Sequence, residues 1–287
     1  MKAFGLTDTG LKRSVNQDAF YIDADRQLYI VADGMGGHKA GDLASRISLE
    51  SIKEYFEIEY IEDINTDDIL EETLISEAEE HCRKAIQYAN SIVYEKAKSS
   101  PEYHGMGTTI VMLKILHGHA IIAHVGDSRV YRIQDEEINQ LTKDHSRIQE
   151  LIDQEKISAE EAERYPLKNV ITRALGGAPD VDVDTVVAPL GRSDVFVLCT
   201  DGLSGVLSDA DILELISSNP GDPEESCNRL IQSTLDRGAP DNVTVIVSDT
   251  RAYDGGEPDH PPTEPSPPDN DSKGAFRKFI DRWFKGN

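Results

Sequence analysis

Short apolar runs rich in β-branched residues recur along the chain: DAFYID, LYIVAD, TTIVMLKIL, HAIIAHV, RVYRI, VDVDTVVAP, DVFVLCT and NVTVIVSD. Each has the length of a strand and several are bounded by turn-forming residues, so the pattern predicts a β-rich body. HGH at 117–119 predicts a tight connection between two strands, and RVYRIQDEEINQLT a hairpin turning at Gln134 to Glu136. Residues 41–58 and 67–98 instead carry apolar residues at three- and four-residue spacing, which predicts two long helices. The Asp pair at 67–68 suits a helix N-terminus. Later, ADILELISS and ESCNRLIQSTLDRG predict a helix pair, the second ending at Gly238.

Strands, two helices, many strands, two helices and a last strand do not alternate as a parallel doubly wound sheet requires. The order predicts an α+β fold: an antiparallel β-sandwich of two sheets with helix pairs packed outside. Residues 145–176 break the pattern, being polar, charged and only partly periodic, and read as an inserted helical segment or a lid. Residues 253–272 are dominated by DGGEPDHPPTEPSPPDNDS, a Pro-rich acidic stretch with too few apolar groups to fold, hence a linker.

The net charge of -24 disfavours nucleic acid as a partner, because a phosphate backbone would be repelled. Cys82, Cys199 and Cys227 are far apart and odd in number, so neither a disulfide framework nor a zinc ribbon is expected. The first residues lack the apolar core of a signal peptide and no run approaches a membrane span, which predicts a cytoplasmic protein.

Candidate chemistry lies where strands end. Asp18 introduces DAFYI, Asp33 closes LYIVAD, Asp127 follows IIAHVG, Asp201 follows VFVLCT and Asp241 precedes NVTVIV, most of them beside Gly or Pro. One Asp-Gly after a strand is ordinarily a turn. Five with different flanks are poorly explained by turns alone. Brought together, they would repel one another severely unless cations neutralised them. An all-oxygen set with little histidine suits hard cations such as Mg2+ or Mn2+. A phosphate cradle is excluded, since Gly34, Gly36 and Gly37 do not form G-x-G-x-x-G and no G-x-x-x-x-G-K-[ST] occurs.

In order along the chain, RSVNQD (13–18), DGMGGH (33–38), GTT (107–109), GDSR (126–129), CTDGL (199–203) and DN (241–242), with LTKDHS and ITRALG between them, resemble the metal-dependent serine/threonine protein phosphatases of type 2C, in their bacterial form. The resemblance spans about residues 1–250 and implies a catalytic domain over 1–252, layered α-β-β-α, whose flap is segment 145–176. It implies that Asp33 bridges two ions of Mn2+ or Mg2+ and that the Gly34 carbonyl completes one coordination sphere. Asp201 and Asp241 are then the other direct ligands, Asp18 acts through water, and Asn242 supports the site from behind. Asp127, with Asp201, matches the pair holding a weaker third metal. Arg13 matches the residue that grips substrate phosphate, and His38 the general acid.

The implied reaction is hydrolysis of phosphoserine and phosphothreonine by a metal-bridging hydroxide, without a phosphoenzyme. The implied partners are phosphorylated proteins, opposed by a Ser/Thr kinase in signal transduction. Two positions depart from the pattern. Gln17 replaces a common Glu, making one water-mediated contact neutral, and Gly205 stands where some members place an acid, weakening a third site. Two other readings compete: a catalytically dead relative that binds phosphoproteins, which the retained Asp33, Asp201 and Asp241 disfavour, and a metallohydrolase of small phosphate esters. His117, His119, His124 and His145 receive no role from the pattern.

In KGAFRKFIDRWFKGN, Phe276, Phe279, Ile280, Trp283 and Phe284 form one helical stripe opposite Lys and Arg. Residues 273–287 therefore predict a basic amphipathic helix. It fits an anionic membrane surface or a partner groove as well as it fits the acidic body or a second copy.

Overall fold

The computed structural model describes residues 1–36, 40–58, 71–158, 161, 165 and 170–252. His38, residues 67–70 at the predicted start of the second long helix, part of segment 145–176, the predicted linker and the predicted C-terminal amphipathic helix lie outside them.

Two antiparallel sheets form the body. The first carries β1 (Lys2–Asp8), β7 (Arg129–Gln134), β8 (Glu137–Gln140), β10 (Val195–Cys199) and β11 (Val243–Asp249), in the order β1-β11-β10-β7-β8. The second carries β2 (Asp18–Asp23), β3 (Leu28–Met35), β5 (Ile110–Leu116), β6 (His119–Val125) and β9 (Asp184–Pro189), in the order β2-β3-β5-β6-β9, with the short β4 (Gly107–Thr108) beside β3. The helices are α1 (Ala40–Ile58), α2 (Glu71–Ser99), α3 (Arg147–Asp153), the single turn α4 (Asp201–Ser204), α5 (Asp209–Ser217) and α6 (Pro223–Asp236).

The layering follows from strand alternation. Along β3, Leu28, Ile30 and Ala32 pack with Leu49, Ile52 and Phe56 of α1 and Ala85, Ile86 and Ala89 of α2. Tyr29 and Val31 point the other way, meeting Val130, Phe196, Leu198 and Ile246 of the facing sheet. A strand buried on both faces is apolar throughout, which is why LYIVAD shows no period of two. On the far side, Val195, Val197, Val243 and Val245 pack with Ile212 and Ile216 of α5 and Leu230 and Ile231 of α6. The order is helices, sheet, sheet, helices, as the sequence predicts.

Both predicted hairpins form, with His117 and Gly118 at φ 44 and 69, and Asp135 and Glu136 at φ 51 and 65. α6 ends as expected before Gly238, at φ 101. Three elements depart from the pattern. The first residues pair as β1 with the far end of the chain, Lys2 opposite Asp249. Of VDVDTVVAP only Asp184–Pro189 is strand; Val181 and Val183 are buried against the α1–α2 side instead, and the Val183 carbonyl accepts from Arg83. TTIVMLKIL is interrupted at Thr109, whose backbone N–H turns to the Asp33 carbonyl at 2.9 Å. No helix among the described residues is long and apolar enough to cross a membrane.

Candidate metal centre

The sandwich brings the five strand-end carboxylates to one place. Asp18 opens β2 directly opposite Asp33 of β3. Asp127 sits in the β6–β7 connection, Asp201 begins α4 just after β10, and Asp241 precedes β11. Both sheets contribute, so the centre exists only in the folded sandwich.

Asp18 ties the sheets together. Its Oδ2 accepts from the hydroxyls of Thr200 at 2.9 Å and Thr244 at 2.7 Å, both on the opposite sheet. Thr200 and Thr244 were not anticipated from the sequence; the available signal was a Thr just before Asp201 and another two places after Asn242. Asp33 is fixed through its backbone, its N–H donating to Thr109 Oγ1 at 3.0 Å and its carbonyl accepting from Thr108 Oγ1 at 2.8 Å. Thr109 Oγ1 is in turn 2.8 Å from Ser128 Oγ, next to Asp127.

Close backbone approach explains the glycines. A Cβ on Gly34 would lie 2.1 Å from the Gly41 carbonyl oxygen, and one on Gly202 would lie 1.8 Å from the Asn242 carbonyl oxygen. A Cβ on Gly41 would come within 2.7 Å of the Gly34 carbonyl oxygen, so Gly41 keeps the space before that carbonyl open. Asn242 holds the loop of residues 9–17 at three points. Its Oδ1 accepts from Gln17 N at 2.9 Å, and its Nδ2 donates to the carbonyls of Thr9 at 2.8 Å and Val15 at 3.0 Å. Its own N–H donates to Asp241 Oδ1 at 2.8 Å. Gln17 Nε2 points to the Gly36 carbonyl at 3.4 Å.

The electrostatics are those of crowded carboxylates. Burial raises Asp33 well above the usual carboxylate range, and the charges of Asp18, Asp201, Asp127 and Asp241 raise it further. Burial lifts Asp18 to about 7, with the neighbouring Asp201 and Asp241 adding to it against its two Thr hydrogen bonds. Asp127 also rises to about 7, from burial first and then the charges of Asp201 and Asp144. Asp201 is raised by burial and by Asp241, and a hydrogen bond with Asp33 opposes the shift. Asp18 Oδ1, Asp127 Oδ1 and Asp201 Oδ1 are all buried without a hydrogen-bond partner. Buried acceptors of this kind are costly unless something positive meets them. An all-oxygen donor set with three such atoms fits a hard divalent cation.

Arg13 reaches in from the rim, its Nη2 2.7 Å from Asp241 Oδ2, with half of its side chain exposed. That hydrogen bond, then the charges of Asp241, Asp33 and Asp201, raise its pKa against its partial burial. Of the residues predicted from sequence, Asp18, Asp33, Gly34, Asp127, Asp201, Asp241, Asn242 and Arg13 therefore converge, and His38 lies outside the described residues.

The described part of segment 145–176 is anchored beside Asp127. Gly126 donates its N–H to His145 Nδ1 at 3.0 Å, and the His145 N–H donates back to the Gly126 carbonyl at 2.9 Å. Arg147 N reaches the Val170 carbonyl at 2.7 Å and Thr172 N the His145 carbonyl at 2.8 Å, so the two sides of this segment are joined. His145 stacks on buried His124 with centroids 4.7 Å apart. Burial and the neighbouring His145 push His124 down to about 4. His124, His145 and Asp184 bring one ligand atom each within 4.8 Å of one another. His145 Nδ1 accepts from the Gly126 N–H, and its Nε2 faces both Asp184 Oδ2 at 3.2 Å and Arg173 Nη1 at 3.0 Å. Arg173 Nη1 already fills the gap, 2.5 Å from Asp184 Oδ1. The cluster fastens this segment and, with Arg173 in its middle, is not arranged to hold a metal.

Comparison with known proteins agrees with this geometry. The model of the family described as protein phosphatase 2C matches residues 11–240. The serine/threonine phosphatase stp of Listeria innocua is 36% identical over 247 residues, covering 84% of this chain and 92% of that protein. The protein phosphatase PhpP of Streptococcus pneumoniae is 34% identical over 245 residues, covering 84% and 94%. Among solved structures, the catalytic domain of the serine/threonine protein phosphatase PstP in complex with two manganese ions matches with a TM-score of 0.72 at 33% identity, covering 86% of this chain and 97% of that one. Carboxylates gathered from both sheets, a matching fold and a third of the sequence in common lead to one conclusion: this chain belongs to the protein phosphatase 2C family.

Proposed function

We propose that the protein removes phosphate from phosphoserine and phosphothreonine of other proteins, with two Mn2+ or Mg2+ ions held by the carboxylate centre. The observation that carries this reading is the convergence of five carboxylates, three with a buried unpartnered oxygen, beneath a half-exposed arginine.

Asp33, Asp201, Asp241 and the Gly34 carbonyl would hold the two ions, Asp18 would act through water, and Asp127 with Asp201 would hold a weaker third. Bound there, such cations offset charge on phosphoryl oxygens and acidify water toward neutral pH. The protein's own groups supply the rest. Arg13 presents a planar fork of donors to two phosphoryl oxygens, exchanging its bond to Asp241 for one to substrate. Thr200 and Thr244 keep Asp18 facing the centre, and Asn242 keeps Asp241 in place through its backbone N–H. We assign His38 as the acid that protonates the departing Ser or Thr oxygen. The catalytic unit is residues 1–252, opposing a Ser/Thr kinase in signal transduction.

The test compares a phosphothreonine peptide with a small alkyl phosphate in Mn2+. The reading expects the peptide to have the larger kcat/KM. A preference for the small ester by roughly tenfold or more would instead identify a small-molecule phosphatase.

A further inference from the structure

The loop that carries Arg13 is built more firmly than a phosphate contact alone requires. Leu11 N donates to the Ala239 carbonyl at 3.0 Å, and Gly10 N to Asp8 Oδ1 at 2.8 Å. Asn242 Nδ2 clamps Thr9 and Val15 together through their carbonyls, and Asn16 Nδ2 holds Thr7 Oγ1 at 2.8 Å. Gly10 lies at φ 72, and a Cβ there would be 2.1 Å from the Asp241 carbonyl oxygen, so the loop is seated tightly on the turn bearing a site carboxylate.

What this fixed loop offers to solvent is LKRSV, all five residues exposed. Among the described residues, four large apolar side chains are exposed: Leu11 at 61%, Val15 at 44%, Val170 and Val187. Two of these four lie in this one loop, two residues either side of Arg13. A lone exposed leucine calls for no explanation. A pair bracketing the phosphate-binding arginine, on a loop held by hydrogen bonds at both ends, is a preformed contact edge that needs little ordering when covered.

We infer that Leu11 and Val15 select the substrate: the favoured phosphopeptide carries an apolar side chain within two residues of its phosphorylated Ser or Thr. This rests on the proposed phosphatase reading and deepens it. The reach follows from chain geometry, since two residues of extended backbone span at most about 7 Å on either partner. With the phosphate on Arg13, residues one or two places away in an extended peptide come within reach of Leu11 and Val15. The occupant's charge fits as well, because the edge presents the exposed cations Lys12 and Arg13 in a chain of net charge -24, and the phosphate brings the anion.

The experiment measures kcat/KM in Mn2+ for phosphothreonine peptides with Leu or Ser at each of the four positions nearest the phosphothreonine, together with p-nitrophenyl phosphate. Wild type, Leu11→Ser and Val15→Ser are compared. Covering the exposed part of a leucine corresponds to about tenfold in wild-type preference for a Leu peptide. The inference expects that preference in at least one position and its collapse to within about twofold in Leu11→Ser or Val15→Ser, with turnover of p-nitrophenyl phosphate unchanged. Equal turnover of Leu and Ser peptides by wild type, or a preference that survives both substitutions, overturns it. A wild-type dimer that Leu11→Ser converts to monomer would also overturn it, making the edge a contact between copies. Failure of wild type to release phosphate from any substrate would sink the phosphatase reading itself, a separate outcome.

Discussion

Asp127→Asn should stabilise the metal-free protein at alkaline pH, although it deletes a residue of the proposed centre. Burial, and then the nearby charges of Asp201 and Asp144, push the Asp127 carboxyl up to about 7, against 3.8 for an ordinary Asp. Its folded pKa is raised, so between those values the native state keeps a proton that the unfolded chain releases. Stability contributed by this group is thus full below the unfolded pKa and is lost as pH rises through the folded one. The gap between those two values sets a ceiling of roughly 4 kcal/mol. Local relaxation and water entry lower the expected gain to roughly 2 kcal/mol. The amide removes the ionisation and can donate to Asp201. In chelator at pH 8, thermal unfolding should show the variant melting roughly 4 to 8 °C higher. At pH 5 the gain should fall by more than half, because wild-type Asp127 is then protonated when folded. Saturating Mn2+ should erase the gain. A variant less stable than wild type at pH 8 in chelator, or a gain that ignores pH, would refute the argument that crowded, desolvated carboxylates strain this site.

Other substitutions test neighbouring links. Gly202→Ala places a Cβ 1.8 Å from a backbone oxygen that cannot step aside and should cost roughly 3 kcal/mol in denaturant unfolding. Gly177→Ala, where the nearest atom is 3.7 Å away, should stay within about 0.5 kcal/mol. Arg13→Ala should lower kcat/KM for a phosphopeptide roughly ten- to a hundredfold. The same variant should tighten Mn2+ binding in calorimetry, because Asp241 loses a competing cation; weaker binding would mean that Arg13 helps to build the metal centre.

The site was far more legible than its support. An Asp at a strand end is visible in one dimension, and alternating order places strand ends at the sandwich edge, so Asp18, Asp33, Asp127, Asp201 and Asp241 could be gathered from sequence. The hydroxyls of Thr200 and Thr244 on Asp18 were not visible, because they reach it across from the other sheet. β1 was missed for a similar reason: KAFGLTD is weakly apolar, and its strand character comes from pairing with β11 at the far end of the described chain. VDVDTVVAP alternates like a strand throughout, yet its first residues are held against the helices by Arg83 and by burial of Val181 and Val183. Segment 145–176 has little periodicity, and where it is described His145, Arg147 and Arg173 anchor it through individual hydrogen bonds. Gln17 illustrates a role that residue type conceals. The replacement for an acid leaves its backbone at work, with its carbonyl accepting from Gly34 N at 3.1 Å and Ser45 Oγ at 2.7 Å.

The central claim is that hydrolysis depends on cations held by the carboxylate centre. The most direct measurement is phosphate release from a phosphothreonine peptide in Mn2+, repeated after excess chelator and with Asp201→Asn. The account predicts turnover in Mn2+, its loss in chelator, its return on adding the metal back, and no rescue of Asp201→Asn. Undiminished turnover in chelator, or full activity of Asp201→Asn, would contradict it.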